Sequence, residues 1–147
     1  MKGKILALLV IGLVLSGCGK SVAVSHSTAA VFTENEEDIV DKHGEVANFE
    51  RMEEFLSNIE WQSEDQIRIV HYTLEGDPII QEVDFDGEIF TYVYDNTHDN
   101  FGSPEVTTST CTELKTKEDS GMTNYVLLGC DLEYEPLLLR IEGYDGR

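Results

Sequence analysis

Apolar residues recur along this chain with two different periods. Val46, Phe49, Met52, Phe55, Leu56 and Ile59 fall three, three, three, one and three residues apart, which draws one stripe along an α-helix. Glu45, Glu50, Arg51, Glu53 and Glu54 lie mostly on its other side, and Asn48 is a poorer helix former just inside it. Asp41-Lys42-His43-Gly44 supplies turn chemistry before this stripe, and Ser63-Glu64-Asp65 a loop after it. The period then changes to two. Residues 67–72 (Ile-Arg-Ile-Val-His-Tyr) alternate and are β-branched, as a strand requires. Thr73-Leu74-Glu75-Gly76-Asp77-Pro78 reads as a turn, residues 79–85 as a second strand, and residues 88–94 as its return. Asp86-Gly87 between them is a two-residue type I′ hairpin signal. That turn sets Val83 opposite Phe90 and Ile79 opposite Tyr94, so Ile79, Val83, Phe85, Phe90, Tyr92 and Tyr94 share one face.

Residues 95–102 form a polar loop, 106–114 a Thr-rich strand, 115–121 a charged turn, 123–132 a further strand and 137–142 a last one. The expected fold is α+β: one N-terminal amphipathic helix packed on an antiparallel β-sheet of about five or six strands. No internal repeat is present.

The first residues carry an address. Lys2 and Lys4 precede an uncharged apolar run over residues 5–15, too short to span a bilayer and suited to a signal peptide. Leu15-Ser16-Gly17-Cys18 closes it and resembles the lipobox of a bacterial lipoprotein. The resemblance implies that residues 1–17 are removed and that Cys18 is acylated. Two or more chains, at about 0.8 kcal/mol per buried methylene, are what stable anchoring needs. Residues 18–38 then read as the lipidated cysteine and a flexible Ser/Ala/Val-rich and acidic tether, and residues 39–147 as one α+β domain.

Charge sharpens this picture. Without residues 1–17 the chain keeps 8 Lys+Arg against 29 Asp+Glu, a balance of −21. No basic cluster exists for phosphate, which excludes nucleic acid as a partner, and anionic headgroups repel such a surface. With Cys18 assigned to lipid, Cys111 and Cys130 remain in an oxidising compartment and lie symmetrically about the 115–121 turn. They are expected to pair; a pair of buried thiols is the alternative.

Four stretches together are similar to a known family. They are Val40-Asp41-Lys42-His43-Gly44, then Phe49-Glu50-Arg51-Met52-Glu53-Glu54-Phe55, then residues 67–79 (IRIVHYTLEGDPI), then Tyr94-Asp95-Asn96-Thr97-His98-Asp99 with Phe101-Gly102. Over roughly residues 38–132 the chain resembles an uncharacterised lipoprotein family of Gram-positive bacteria, domain of unknown function family 4362, and the two later cysteines also fit. The resemblance implies an exported lipoprotein and no activity.

Candidate chemistry is sparse. Asp95, Asn96, Asp99 and Asn100, with His98 among them, make one oxygen-rich loop that could hold Ca²⁺, although Asx turns account for the same residues, and His43, His71 and His98 with nearby carboxylates could make a Zn²⁺ site if the fold brings them together. Glu82, Asp84, Asp86 and Gly87 share features of a Ca²⁺ loop, but the twelfth position is Val93 where a glutamate is required. Asp41, His43, His71, Glu75 and Asp77 form the other candidate polar site, with His71 beside the 75–78 turn the one His–carboxylate grouping worth testing for catalysis. There is no Gly-x-Ser-x-Gly, no phosphate-cradling loop and no His-Glu-x-x-His. The expectation is therefore a non-catalytic interaction module, lipid-anchored at the outer face of the cytoplasmic membrane and meeting an envelope protein or wall component, with no cofactor. The alternative is an accessory lipoprotein binding a small ligand or a divalent cation, and an enzyme stands third.

Overall fold

The computed structural model describes residues 32–143. The expected signal peptide, Cys18 and most of the expected tether lie outside the described residues. Nine strands and one helix follow in order: β1 (Ile39–Lys42), β2 (Glu45–Ala47), α1 (Glu50–Glu60), β3 (Asp65–Tyr72), β4 (Pro78–Phe85), β5 (Phe90–Asp95), β6 (Val106–Cys111), β7 (Glu113–Asp119), β8 (Met122–Leu128) and β9 (Leu137–Glu142). They form a six-stranded sheet ordered β2-β1-β3-β4-β5-β6 and a three-stranded sheet ordered β7-β8-β9. The first sheet is mixed, because β1 runs parallel to β3 while every other pairing is antiparallel.

The expected helix-on-one-sheet α+β fold is therefore wrong: the domain is mostly β, with two sheets and a single short helix. Three local features explain the misreading. Val46 belongs to a hairpin strand rather than the helical stripe, and His43 (φ 60°) with Gly44 (φ 94°) make the positive-φ turn between β1 and β2. The charged run expected as a turn is strand β7, where only Leu114 of seven residues is even half-buried, so no apolar alternation announces it. The single strand expected over 106–114 bends at Thr112, whose amide donates to the Leu128 carbonyl at 3.0 Å, and the chain passes from one sheet to the other.

One core joins these elements. Ile69, Val83, Phe90 and Tyr92 of the first sheet meet Tyr125, Leu127, Leu138 and Leu139 of the second, with Met52 and Phe55 of α1. Burying each of those two helical side chains contributes roughly 2–3 kcal/mol. The helix stops where Gln62 turns left-handed (φ 53°), and the Gln62 and Ser63 amides close back on the Ile59 and Asn58 carbonyls.

The β4–β5 hairpin has the expected faces but not the expected turn. Phe85 pairs with Phe90 and Val83 with Tyr92, so four residues, 86–89, make the connection. The Asp86 carboxylate accepts the Glu88 and Ile89 amides at 2.9 Å each, which stabilises the wider loop. A register moved by two residues keeps every side chain on its face.

Residues 32–38, the described end of the expected tether, make specific contacts. Asp38 is buried and pairs with Arg68 through bonds of 2.8 and 2.6 Å. Glu34 accepts the Tyr72 hydroxyl, and Asn48 donates to the Asp38 carbonyl from a left-handed backbone.

Candidate functional site

Strand alternation says which residues point at the core. In the first sheet Ile39, Ile67, Ile69, Val83, Phe85, Phe90 and Tyr92 point inward. The same parity carries Asp41 in β1, His71 in β3 and Gln81 in β4, where apolar residues would be expected. Parallel pairing sets Asp41 beside His71, and antiparallel pairing sets Gln81 beside Ile69 and Tyr94. Against them lies β9. Together Asp41, His71, Ile79, Gln81, Tyr94 and residues 137–140 line a cleft of about 260 Å³ at one end of the core.

The polar groups of this cleft are held by defined bonds. The β1–β2 turn aims the Gly44 amide at Asp41 Oδ1 (2.7 Å), and Asp41 Oδ2 meets His71 Nδ1 at 3.0 Å. A carboxylate only accepts, so Nδ1 of the neutral imidazole carries the proton and Nε2 presents its lone pair. Gln81 Nε2 donates to the Leu137 carbonyl at 3.3 Å, which orients the amide and leaves Oε1 as the free end. His71 Nε2 and Gln81 Oε1 are both buried, and among the described residues neither has a hydrogen-bond partner. A buried polar atom left unpaired costs about 1–3 kcal/mol, so two around one cleft mark a place for an occupant. Burial pushes the Tyr94 hydroxyl pKa up, with Tyr134, Asp99 and Glu105 adding to it, so this wall stays uncharged. Among the described residues no Ser, Thr or Cys lines the cleft for His71 to activate.

A larger groove of about 550 Å³ lies on the opposite face of the same sheet, between residues 35–38 and the outward side chains of β3, β4 and β5. Arg68 pairs with Asp38, and Arg51 Nη2 with Asp65 and the Gln66 carbonyl, while Arg51 Nη1 lies 3.9 Å from Glu54, buried and, among the described residues, without a hydrogen bond. That orphaned nitrogen keeps a carboxylate counter-charge nearby, whereas the smaller cleft carries two orphaned acceptors, and the smaller cleft is therefore the candidate site.

The residues marked in the sequence divide accordingly. Asp41 and His71 come together. His43 stands exposed in the β1–β2 turn, and Glu75 in the turn after β3. Asp77 accepts the Asn100 amide (3.0 Å) and side chain (2.8 Å), which ties that turn to the 95–102 loop. Asp95 and Asp99 accept the Thr97 and Phe101 amides, and His98 packs against the Phe32 ring at 5.6 Å. Among the described residues no group of three or more His, Cys, Asp or Glu is placed to hold a metal. Cys111 and Cys130 lie at bonding distance, 2.07 Å, and continue the β7–β8 register two residues past Glu113 and Leu128. Gln81 was missed, although its inward parity between Ile79 and Val83 was the signal.

The family model described as Domain of unknown function (DUF4362) matches residues 36–126. The chain belongs to that family. The DUF4362 match includes Asp41, His71, Gln81 and Tyr94, but not the β9 residues that close the cleft. No curated protein and no solved structure matches the chain.

Proposed function

We propose that this protein is a non-catalytic binding module, exported and lipid-anchored through Cys18 at the outer face of the cytoplasmic membrane as a bacterial lipoprotein of Gram-positive type. The anchor rests on Lys2, Lys4, the apolar residues 5–15 and Leu15-Ser16-Gly17-Cys18. The binding role rests on one observation: the inward-facing Asp41, His71 and Gln81 border a cleft with two buried, unpartnered polar atoms. The ligand is a small polar molecule of the cell envelope, and the membrane is a partner through lipid alone.

The test is thermal unfolding of the full chain in detergent against a panel of amines, polyols, carboxylates and wall fragments. At a hundred times its dissociation constant a ligand adds about 2.7 kcal/mol to the native state. A rise of several degrees that disappears in His71→Leu is expected. Rises that all survive the substitution would sink the assignment.

A second reading has its own support. Leu74 and Phe101 are 87% and 78% exposed, in the turn and loop that Asp77 and Asn100 tie together. Two large apolar side chains on a pinned frame suit an envelope-protein partner. Cross-linking in whole cells that recovers one protein, and loses it with Leu74→Ser and Phe101→Ser, distinguishes this from the cleft.

A further inference from the structure

We infer that the cleft selects a primary ammonium group carried on a short apolar stem. The inference rests on the reading of the cleft as a binding site and adds the ligand class. Its basis is the polarity of the two unpartnered atoms. Asp41, itself fixed by the Gly44 amide at 2.7 Å, takes the proton-bearing Nδ1 of His71 and leaves Nε2 an acceptor. The Leu137 carbonyl takes the amide nitrogen of Gln81 and leaves Oε1 an acceptor. Gln81 is only 9% exposed, and this oxygen is buried without a partner.

His71 and Gln81 are diagonal neighbours on one sheet face, which places their backbones about 7–8 Å apart. A group seated between them must donate twice. A carboxylate or ether donates nothing, and a hydroxyl donates once. An ammonium offers three donors around one small atom, and its charge strengthens each bond to about twice a neutral one. The carboxylate of Asp41 stands directly behind the imidazole, and the chain's formal charge of −19 favours a cation at the mouth. Arg140, the one cationic residue in the lining among the described residues, is half exposed and lies 4.0 Å from Asp119. Ile79, Leu138 and Leu139 supply apolar wall for the stem.

The experiment titrates the full chain in detergent with n-butylammonium, n-butanol and butanoate, following the His71 imidazole by nuclear magnetic resonance and affinity by calorimetry. Saturable butylammonium binding that moves the His71 ring is expected. Gln81→Met keeps the side-chain length and removes the acceptor, and should weaken binding about tenfold or more. His71→Phe serves the same purpose if Gln81→Met does not fold. Butanol or butanoate binding as tightly would overturn the ammonium assignment while leaving the cleft a binding site. Unchanged butylammonium affinity in Gln81→Met would place the cation elsewhere and overturn the inference. If none of the three moves the His71 ring, the ammonium inference is overturned, while the binding reading still stands or falls on the wider ligand panel.

Discussion

Replacing Cys111 and Cys130 together by alanine tests how the two sheets are held. The cysteines are 19 residues apart, and they join the last residue of β6 to the chain leaving β8. Constraining a loop of about 20 residues in the unfolded chain is worth roughly 3 kcal/mol in the chain-entropy model. Cys111 is 1% exposed and packs in the core, so its lost sulfur adds about 1 kcal/mol. A domain of this size shifts its midpoint by about 3–5 °C per kcal/mol, which puts the expected fall at about 12–20 °C. The corner does not come apart in the native state, because the Asp131 carboxylate still accepts the Ser109 hydroxyl and the Thr110 amide. The assay is calorimetric unfolding of the oxidised protein and the double variant under identical conditions. A fall under about 3 °C would refute the reasoning, because the unfolded chain would then gain little freedom from losing the bridge.

Asp38→Ala removes both bonds to Arg68 and the acceptor of the Asn35 amide, and should cost about 2–4 kcal/mol in urea unfolding; a cost below about 0.5 would show that residues 32–38 are dispensable. Partial burial raises the Asp65 pKa, but hydrogen bonds from Arg51, Asn58 and the Gln66 amide outweigh it and hold the carboxyl below the usual aspartate range. That depressed folded value gives stability that is fully present at neutral pH and lost as pH falls below about 4. Asp65→Asn should therefore cost about 1–2 kcal/mol at neutral pH and progressively less in acid, as checked by denaturant unfolding across that range. Gly129 has φ +63°, and a Cβ there would sit 2.1 Å from Thr112 Oγ1, so Gly129→Ala should lower stability by about 1–2 kcal/mol; an unchanged midpoint would mean the corner rebuilds freely.

The parts of the fold legible in the sequence were those where one sheet face is wet and the other dry. Strands β3, β4 and β5 announce themselves by alternation, and β9 by its Leu-Leu-Leu-Arg-Ile-Glu run. Strand β7 did not, because Lys115, Lys117 and Glu118 are exposed along with nearly all their neighbours. No periodicity marks a strand that gives the core almost nothing. The helical stripe extended falsely to Val46, since Val46 and Phe49 stand three apart whether or not a left-handed Asn48 interrupts the helix. The parallel pairing of β1 with β3 left no local trace, because the hairpin and helix between them set it through tertiary packing. Of the site, Asp41 and His71 could be named but not joined: 30 residues separate them, and only the β1–β3 register brings them into contact. Gln81 stood at an inward position of a correctly expected strand, where breaking the apolar rule was itself the signal.

The account turns on two acceptors facing one cleft, and the protonation of His71 decides it most directly. Long-range nitrogen–proton correlation on the full chain at about pH 8, above the ordinary histidine range, reports which ring nitrogen carries the proton. A proton on Nδ1, shared with Asp41, and a bare Nε2 are the predicted result. A proton on Nε2 would turn that atom into a donor, break the Asp41 bond as described, and contradict the account.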